Sequence, residues 1–276
     1  MESHLEIPDI SSVGNNFTMG NVCSCFKRED KNEEAGIIEN MEEGNVENEI
    51  LEENLEDFQN DEVLQDAVNL PVPDLEVNQL AIYLAAIDNQ DFGSLDPTPG
   101  FFPIFGYTPD GEGCLHLIVT KILYYKPDEP IVGNCDTMVK DSYLIAEVYI
   151  RTHLIELGID FSRTCHFFGH IYPSDAPKTG YSAGCALVTS MLSAIKQRGV
   201  SLNIGFFGEI GEDGRVIVVG GEAAKIKAAV RAKMQTIIAP RLMQPAIERT
   251  DILYRSQLQF IYIDYFVEAL PILFPN

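Results

Sequence analysis

The run Pro177-Lys178-Thr179-Gly180-Tyr181-Ser182-Ala183-Gly184 delivers a serine to the start of an apolar helical stretch, with proline and glycine marking the loop before it. A hydroxyl in the first turn of a helix is well placed to attack a carbonyl. The first N–H groups of a helix lack intrahelical partners, and with the helix dipole they can stabilise the oxyanion that such an attack creates. Ala183, Gly184, Cys185 and Ala186 are small enough to admit a substrate or another stretch of backbone. The same pattern fits a plainer role, because serine is among the preferred N-cap residues, and the segment alone does not separate the two.

A serine nucleophile needs a base to take its proton. The histidines are His4, His116, His153, His166 and His170, and none lies in a motif that brings an orienting carboxylate with it. His166 and His170 fall on the strand-like segment ahead of the serine loop and read as structural. A lysine can do the work if its surroundings favour the neutral amine. The segment Glu222 to Lys233 reads as a helix after Gly220-Gly221 and carries two candidates. At about 100° per residue, Lys225 shares a face with Ala228, Ala229 and Ala232. Lys227 points about 200° away, toward Arg231. Lys225 is therefore the amine expected to be desolvated against the body of the protein, as a general base requires.

The elements that must position these residues begin near residue 100, where apolar runs alternate with turn signals in a mixed β and α pattern. Pro-Asp-Gly-Glu-Gly at 109–113 predicts a hairpin within 100–125. Thr137 to Leu157 has helical spacing and a glycine stop at Gly158. A strand is predicted over His166 to Tyr172, and an apolar helix from Ser182 to Gly199. Leu202 to Phe207 and Val216 to Val219 read as strands joined through Gly211-Glu212-Asp213-Gly214, a second hairpin. After the helix of Lys225 come strands at Thr236 to Ala239 and Gln259 to Ile263, then a terminal helix at Tyr265 to Leu270. Ahead of all this, Asn78 to Ile87 reads as a short helix that packs on the folded domain after it. Pro97 and Pro99 mark a boundary.

Charge divides the chain in the same place. Of the 276 residues, with net charge −23, the first 93 carry 23 of the 42 acids and 3 of the 19 bases. Residues 29–66 hold 16 acids against Lys31 alone, too little apolar surface to offset the entropy of ordering. The expected organisation is a mostly disordered acidic region over 1–93, a solvating tail or a docking arm, and a folded domain over 94–276. Nucleic acid is not an expected partner, since no basic run is present to neutralise phosphates. The cysteines at 23, 25, 114, 135, 165 and 185 lack zinc-type pairing and disulfide-scaffold density, and read as reduced thiols. No secretory leader is evident, nor an uncharged apolar run of the roughly 18 residues that cross a membrane. A cytoplasmic location is expected. The exception is Met19-Gly20-Asn21-Val22-Cys23-Ser24-Cys25, which matches a myristoylation signal with Cys23 and Cys25 as acylation sites if Gly20 becomes the mature N-terminus, and is silent if translation starts at Met1.

Taken in order, PKTGYSAG at 177–184 and GEIGEDGRVIVVGGEAAKIKAA at 208–229 resemble the proteolytic domain of Lon proteases. That family has a PKDGPSAG-like serine loop, a TGEI-type strand, a G-x-V turn and a double glycine, with its catalytic lysine four positions after the second glycine. Gly133 to Ser142 (GNCDTMVKDS) and Leu157-Gly158-Ile159 are similar to further family segments, so the resemblance spans about residues 100–270. It implies an α+β Lon-type proteolytic domain with mixed sheets and packed helices. It also implies a serine endopeptidase with Ser182 as nucleophile and Lys225 as base, needing no metal or cofactor. Three positions depart from the pattern: Thr179 stands for an aspartate, Tyr181 for a proline, and Phe207 for a threonine whose hydroxyl helps position the lysine. The lost hydroxyl would loosen the lysine, or the ring would make the site drier and lower its pKa further. No G-x-x-x-x-G-K-[ST] phosphate loop occurs. The expectation is therefore a peptidase without its own ATPase, cleaving flexible or unfolded polypeptides and fed, if at all, by a separate ATPase. The family resemblance implies a hexameric ring. The alternative is a weak or inactive pseudopeptidase that serves as an oligomeric scaffold or peptide-binding module.

Overall fold

Phe101 to Phe105 is a continuous apolar run, which a strand can bear only if both of its faces are covered. The computed structural model, which describes residues 77–275 except 90, 93, 94, 109 and 163, shows that it is. Strand β1 (Phe101–Tyr107) pairs antiparallel with β2 (Gly113–Leu123), closing the predicted hairpin with Tyr107 opposite Gly113. Strand β4 (His166–Tyr172) pairs with β2 antiparallel and with the short β3 (Ile131–Val132) parallel, giving the order β1-β2-β4-β3. Pro103 is tolerated because β1 lies at the edge, where a missing N–H breaks no ladder on the open side.

Alternation along β1 sends Phe102 and Ile104 into one hydrophobic cluster and Phe101 and Phe105 into another. On the first side lie α2 (Thr137–Thr152), capped by Asp136 accepting from the Val139 N–H at 3.0 Å, and α3 (Gly184–Ile195). On the second lie α1 (Val77–Asn89) and α4 (Glu222–Arg231). The predicted helix ahead of Pro97 is thus present and packed: Tyr83 packs tilted against Phe101 at 4.6 Å between centroids, and its hydroxyl bonds Thr98 Oγ1 at 2.8 Å.

Helix α3 is buried throughout, from Gly184 to Ala194, which accounts for its nearly all-apolar sequence. Its polar residues are satisfied internally. Ser190 pairs with Thr120 at 2.6 Å and donates to the Gly100 carbonyl at 2.8 Å, and Ser193 donates to the Arg198 carbonyl at 2.7 Å. A parallel sheet of β5 (Ile204–Phe206), β8 (Thr236–Pro240) and β9 (Gln259–Ile263) and a hairpin of β6 (Glu209–Ile210) with β7 (Val216–Ile217) complete the sheets. The mixed α+β class is as expected.

Several local expectations are corrected. The predicted helix over Thr137 to Leu157 ends at Thr152, whose hydroxyl donates to the Val148 carbonyl at 2.8 Å, with His153 as C-cap. Gly158, at φ +61°, closes a separate turn. The hairpin through Gly211 to Gly214 joins β6 to β7, not the strand ending at Phe207. The Phe207 N–H donates to Ile238 and the Gly208 carbonyl accepts from Cys185, so that stretch of backbone is already engaged by β8 and α3. The terminal helix is a 3-10 turn (Phe266–Ala269) followed by a helical turn (Leu270–Leu273) rather than one helix from Tyr265. The acidic stretch 29–66 and the Gly20, Cys23 and Cys25 motif lie outside the described residues.

Candidate functional site

The serine loop leaves β4 and is held along its length by the segment that starts α2. The Lys178 N–H donates to the Asn134 carbonyl at 2.9 Å and the Asp136 N–H to the Lys178 carbonyl at 3.0 Å. Farther on, the Ser142 hydroxyl reaches the Tyr181 carbonyl at 3.4 Å. Thus the run Gly133 to Ser142, distinguished in the sequence only by its pattern, forms the bed on which the loop lies.

Ser182 comes just before α3, in the turn that leads into it. Ala183, not Ser182, is the N-cap, and no side-chain capping bond is made there. The plainer role for this serine is therefore not the one it plays. Among the described residues neither the Ser182 nor the Ala183 N–H has a hydrogen-bond partner, leaving two adjacent backbone donors beside the hydroxyl. The small residues after it admit another stretch of backbone: a Cβ on Gly184 would come within 2.7 Å of the Ile210 nitrogen, so glycine lets α3 begin directly against β6.

Lys225 sits one turn into α4, its N–H bonded to the Gly221 carbonyl at 3.1 Å. It is 1% exposed, and Ala228, Ala229 and Ala232 on the same face are fully buried, as the helical spacing required. Lys227 instead lies 5.6 Å from the ring centroid of Tyr254. The Lys225 ammonium nitrogen stands over two ring faces, 5.6 Å from the centroid of Tyr107 and 5.9 Å from that of Phe207. It has no hydrogen-bond partner among the described residues. Burial lowers its pKa from 10.5 to about 8, with Glu222 opposing the shift. Of the two consequences open for Phe207, a loosened lysine or a drier one, the packed ring corresponds to the second.

Ser182 and Lys225 line the same cavity, of about 380 Å³, together with Tyr107, His116 and Lys178. No hydrogen bond joins the serine hydroxyl to the lysine amine; catalytic hydrogen bonds often tighten only when substrate binds. His116 and Lys178 were not singled out as site residues by the sequence, because they meet the cavity only through strand pairing and loop packing. His116 is buried with Nδ1 unpartnered, and burial, reinforced by Lys178, pulls its pKa to about 4, leaving it neutral near pH 7. The Lys178 ammonium donates to the Pro173 carbonyl, and burial lowers its pKa as well. His170 bonds Ser174 at 2.7 Å and stacks on Tyr172, a structural role as read from the sequence, and His153, to which the sequence assigned no role, caps α2.

Gly221 shapes the approach to Lys225. It adopts φ +79° as N-cap of α4, and a Cβ there would overlap the Tyr107 hydroxyl oxygen. Gly221→Ala is expected to cost roughly 1–2 kcal/mol for the left-handed backbone and to push the Tyr107 ring aside. Urea unfolding checks this, and an unchanged midpoint would contradict the contact.

A buried amine without a hydrogen-bond partner among the described residues and a hydroxyl beside two backbone N–H donors, around one cavity, are groups that acyl transfer can use. The family model for the Lon protease (S16) C-terminal proteolytic domain matches residues 93–275. The chain is 37% identical to a Lon protease of Porphyromonas gingivalis over 147 residues, 52% of this chain and 17% of that protein. It is 35% identical to Lon protease 1 of Bacillus subtilis over 142 residues, 51% of this chain and 18% of that protein. With Lon protease 4 of Sorangium cellulosum it shares 29% identity over 195 residues, covering 69% of this chain and 24% of that protein. The matched region therefore spans less than a quarter of each of these relatives.

Proposed function

The chain belongs to the Lon protease (S16) C-terminal proteolytic domain family, and from that premise we propose that it is a serine endopeptidase in which Ser182 attacks and Lys225 is the base. The observation that carries the reading is the burial of Lys225 in the Ser182 cavity, where desolvation brings its pKa to about 8. At pH 7 a usable fraction of the amine is then neutral.

Lys225 Nζ takes the Ser182 proton as Oγ bonds to the scissile carbonyl carbon. The resulting oxyanion is received by the Ser182 and Ala183 N–H groups. Collapse breaks the C–N bond, the lysine returns the proton to the leaving amine, and an acyl-enzyme remains. Water, deprotonated by the same lysine, adds to the ester carbon; collapse breaks the C–Oγ bond, the lysine returns the proton to Ser182 Oγ, and the carboxylic acid product leaves. The chemistry is complete with these groups and calls on no metal or cofactor.

The proposed substrates are flexible or unfolded polypeptides, whose extended backbone can reach a hydroxyl set in a cavity. A separate ATPase could deliver folded ones. We further propose a homo-oligomeric ring, hexameric as the family resemblance implies, and a cytoplasmic location unless Gly20 becomes a lipidated N-terminus. Among the described residues no helix is long and apolar enough to cross a membrane.

The test is incubation of the full chain with an intrinsically unstructured protein, without ATP, beside Ser182→Ala. Wild type should produce fragments and the variant none, and a serine-directed acylating or phosphonylating reagent should add its mass to Ser182. A wild type that neither cleaves nor labels would leave the fold as a scaffold or peptide-binding module, the reading motivated by Thr179, Tyr181 and Phe207.

A further inference from the structure

We propose that Tyr107 and Phe207 act together as positioning residues, an aromatic clamp that keeps water from the Lys225 amine and receives its ammonium form on their ring faces. This rests on the peptidase reading above and names what sets the base within it.

The geometry is specific. Lys225 Nζ lies over both rings, and neither a carboxylate nor a carbonyl nor a hydroxyl bonds it among the described residues. Phe207 is 1% exposed and locked edge-on against Phe105, 4.8 Å between centroids at 82°. Tyr107 belongs to β1 and is 43% exposed, so one side of its ring faces solvent while the other covers the lysine. An exposed tyrosine would ordinarily be free to turn away. Here its hydroxyl donates to the Gly220 carbonyl at 2.8 Å, tying the ring to the glycine pair that opens α4. Gly221 leaves the space that this contact needs.

The clamp has two physical effects. Displacing water from the amine favours the neutral form needed to accept a proton. Until the new ammonium passes its proton to the leaving amine, it has no hydrogen-bonding partner among the described residues, and the negative faces of two rings supply part of the attraction that water would otherwise supply. The remaining titratable groups around the amine are Glu222 on α4, which favours the ammonium, the neutral His116 on β2, and Lys178 in the serine loop. None of them is a hydrogen-bond partner of the amine. Position 207, where the resemblance implies a threonine, thus presents an aromatic ring to the lysine, and Tyr107 of β1 presents the second.

The consequence for rate is large. An amine titrating at about 8 is roughly one-tenth neutral at pH 7, whereas one at 10.5 is neutral in about three parts in ten thousand.

The test follows the lysine itself, in the full chain carrying Ser182→Ala so that no turnover enters. Acylation of Lys225 by an amine-selective reagent is measured by peptide mass spectrometry as a function of pH. Exclusion of water is the larger of the two effects, so Tyr107→Ala should move the titration of Lys225 upward toward its free value. Tyr107→Phe, which keeps the ring, should move it by no more than a few tenths. Phe207→Thr, which replaces the inner ring with a hydroxyl, should also raise it and stands in if Tyr107→Ala does not fold. Identical titrations in all of these, or a phenylalanine variant that shifts as far as the alanine one, would overturn the clamp. That outcome is distinct from loss of the peptidase reading, which is decided by cleavage and serine labelling in the wild-type chain.

Discussion

Lys225→Ala is expected to slow cleavage of an unstructured polypeptide by about 10²–10⁴-fold or more, because proton transfer by a positioned base contributes that much and no histidine among the described residues is hydrogen-bonded to Ser182 to take its place. The same substitution at His170 or His153 should leave the rate near wild type, since both are engaged in structural hydrogen bonds. The pH dependence gives this prediction its sign. The base works only when neutral, and its folded pKa is about 8, so the wild-type rate should climb as pH rises and reach half its plateau near pH 8. His116, with a pKa pulled to about 4, is neutral across that range and contributes no limb there. Initial rates from pH 6 to 10 check this. A profile that falls above pH 6, or a Lys225→Ala enzyme with ordinary activity, removes the lysine from its role.

The second large effect is on stability. Lys225→Met should make the folded protein more stable at pH 7 while it inactivates the enzyme. In the unfolded chain the amine titrates near 10.5 and in the folded chain near 8. Between those values the unfolded state binds more protons, so stability rises with pH there. Below about pH 8 the penalty for burying the charge is complete, and above about 10.5 it has vanished. A shift of this size corresponds to about 2–4 kcal/mol, reduced by roughly 1 kcal/mol for imperfect repacking of the methionine. Urea unfolding of both proteins at pH 7 and at pH 10.5 measures it, the difference between them removing the titration of every other group. If the variant is no more stable at pH 7, the amine is hydrated and the account of its pKa fails. Such an exchange of stability for activity is common at sites built around desolvated charge.

Ser182 shows how far a local pattern carries. The residues of its loop placed it at the entrance of an apolar helix, and the structure has it there, but the sequence left open whether it was a cap. Only the observed turn, with Ala183 as N-cap and the serine uninvolved in capping, removes that alternative. The membership of the chain was likewise legible, because the motifs from 133 to 229 keep their order and spacing.

The amino-acid sequence by itself determined which face of α4 is buried, hence which of two lysines is desolvated, and the bounds of β4 and β9. Each of these depends on contacts within a few residues, where the periods of 2 and 3.6 speak directly. Tertiary structure alone decided that the strand ending at Phe207 would not pair with β7, that α2 would stop at Thr152, and that Lys225 would lie under Tyr107. The hydrogen bond that ties that ring to Gly220 spans 113 positions, and no local period reports on a neighbour so distant. Ser182 and Lys225 stand out in the sequence as candidates, but the two rings that pack on the lysine become its neighbours only when β1, β5 and α4 pack together.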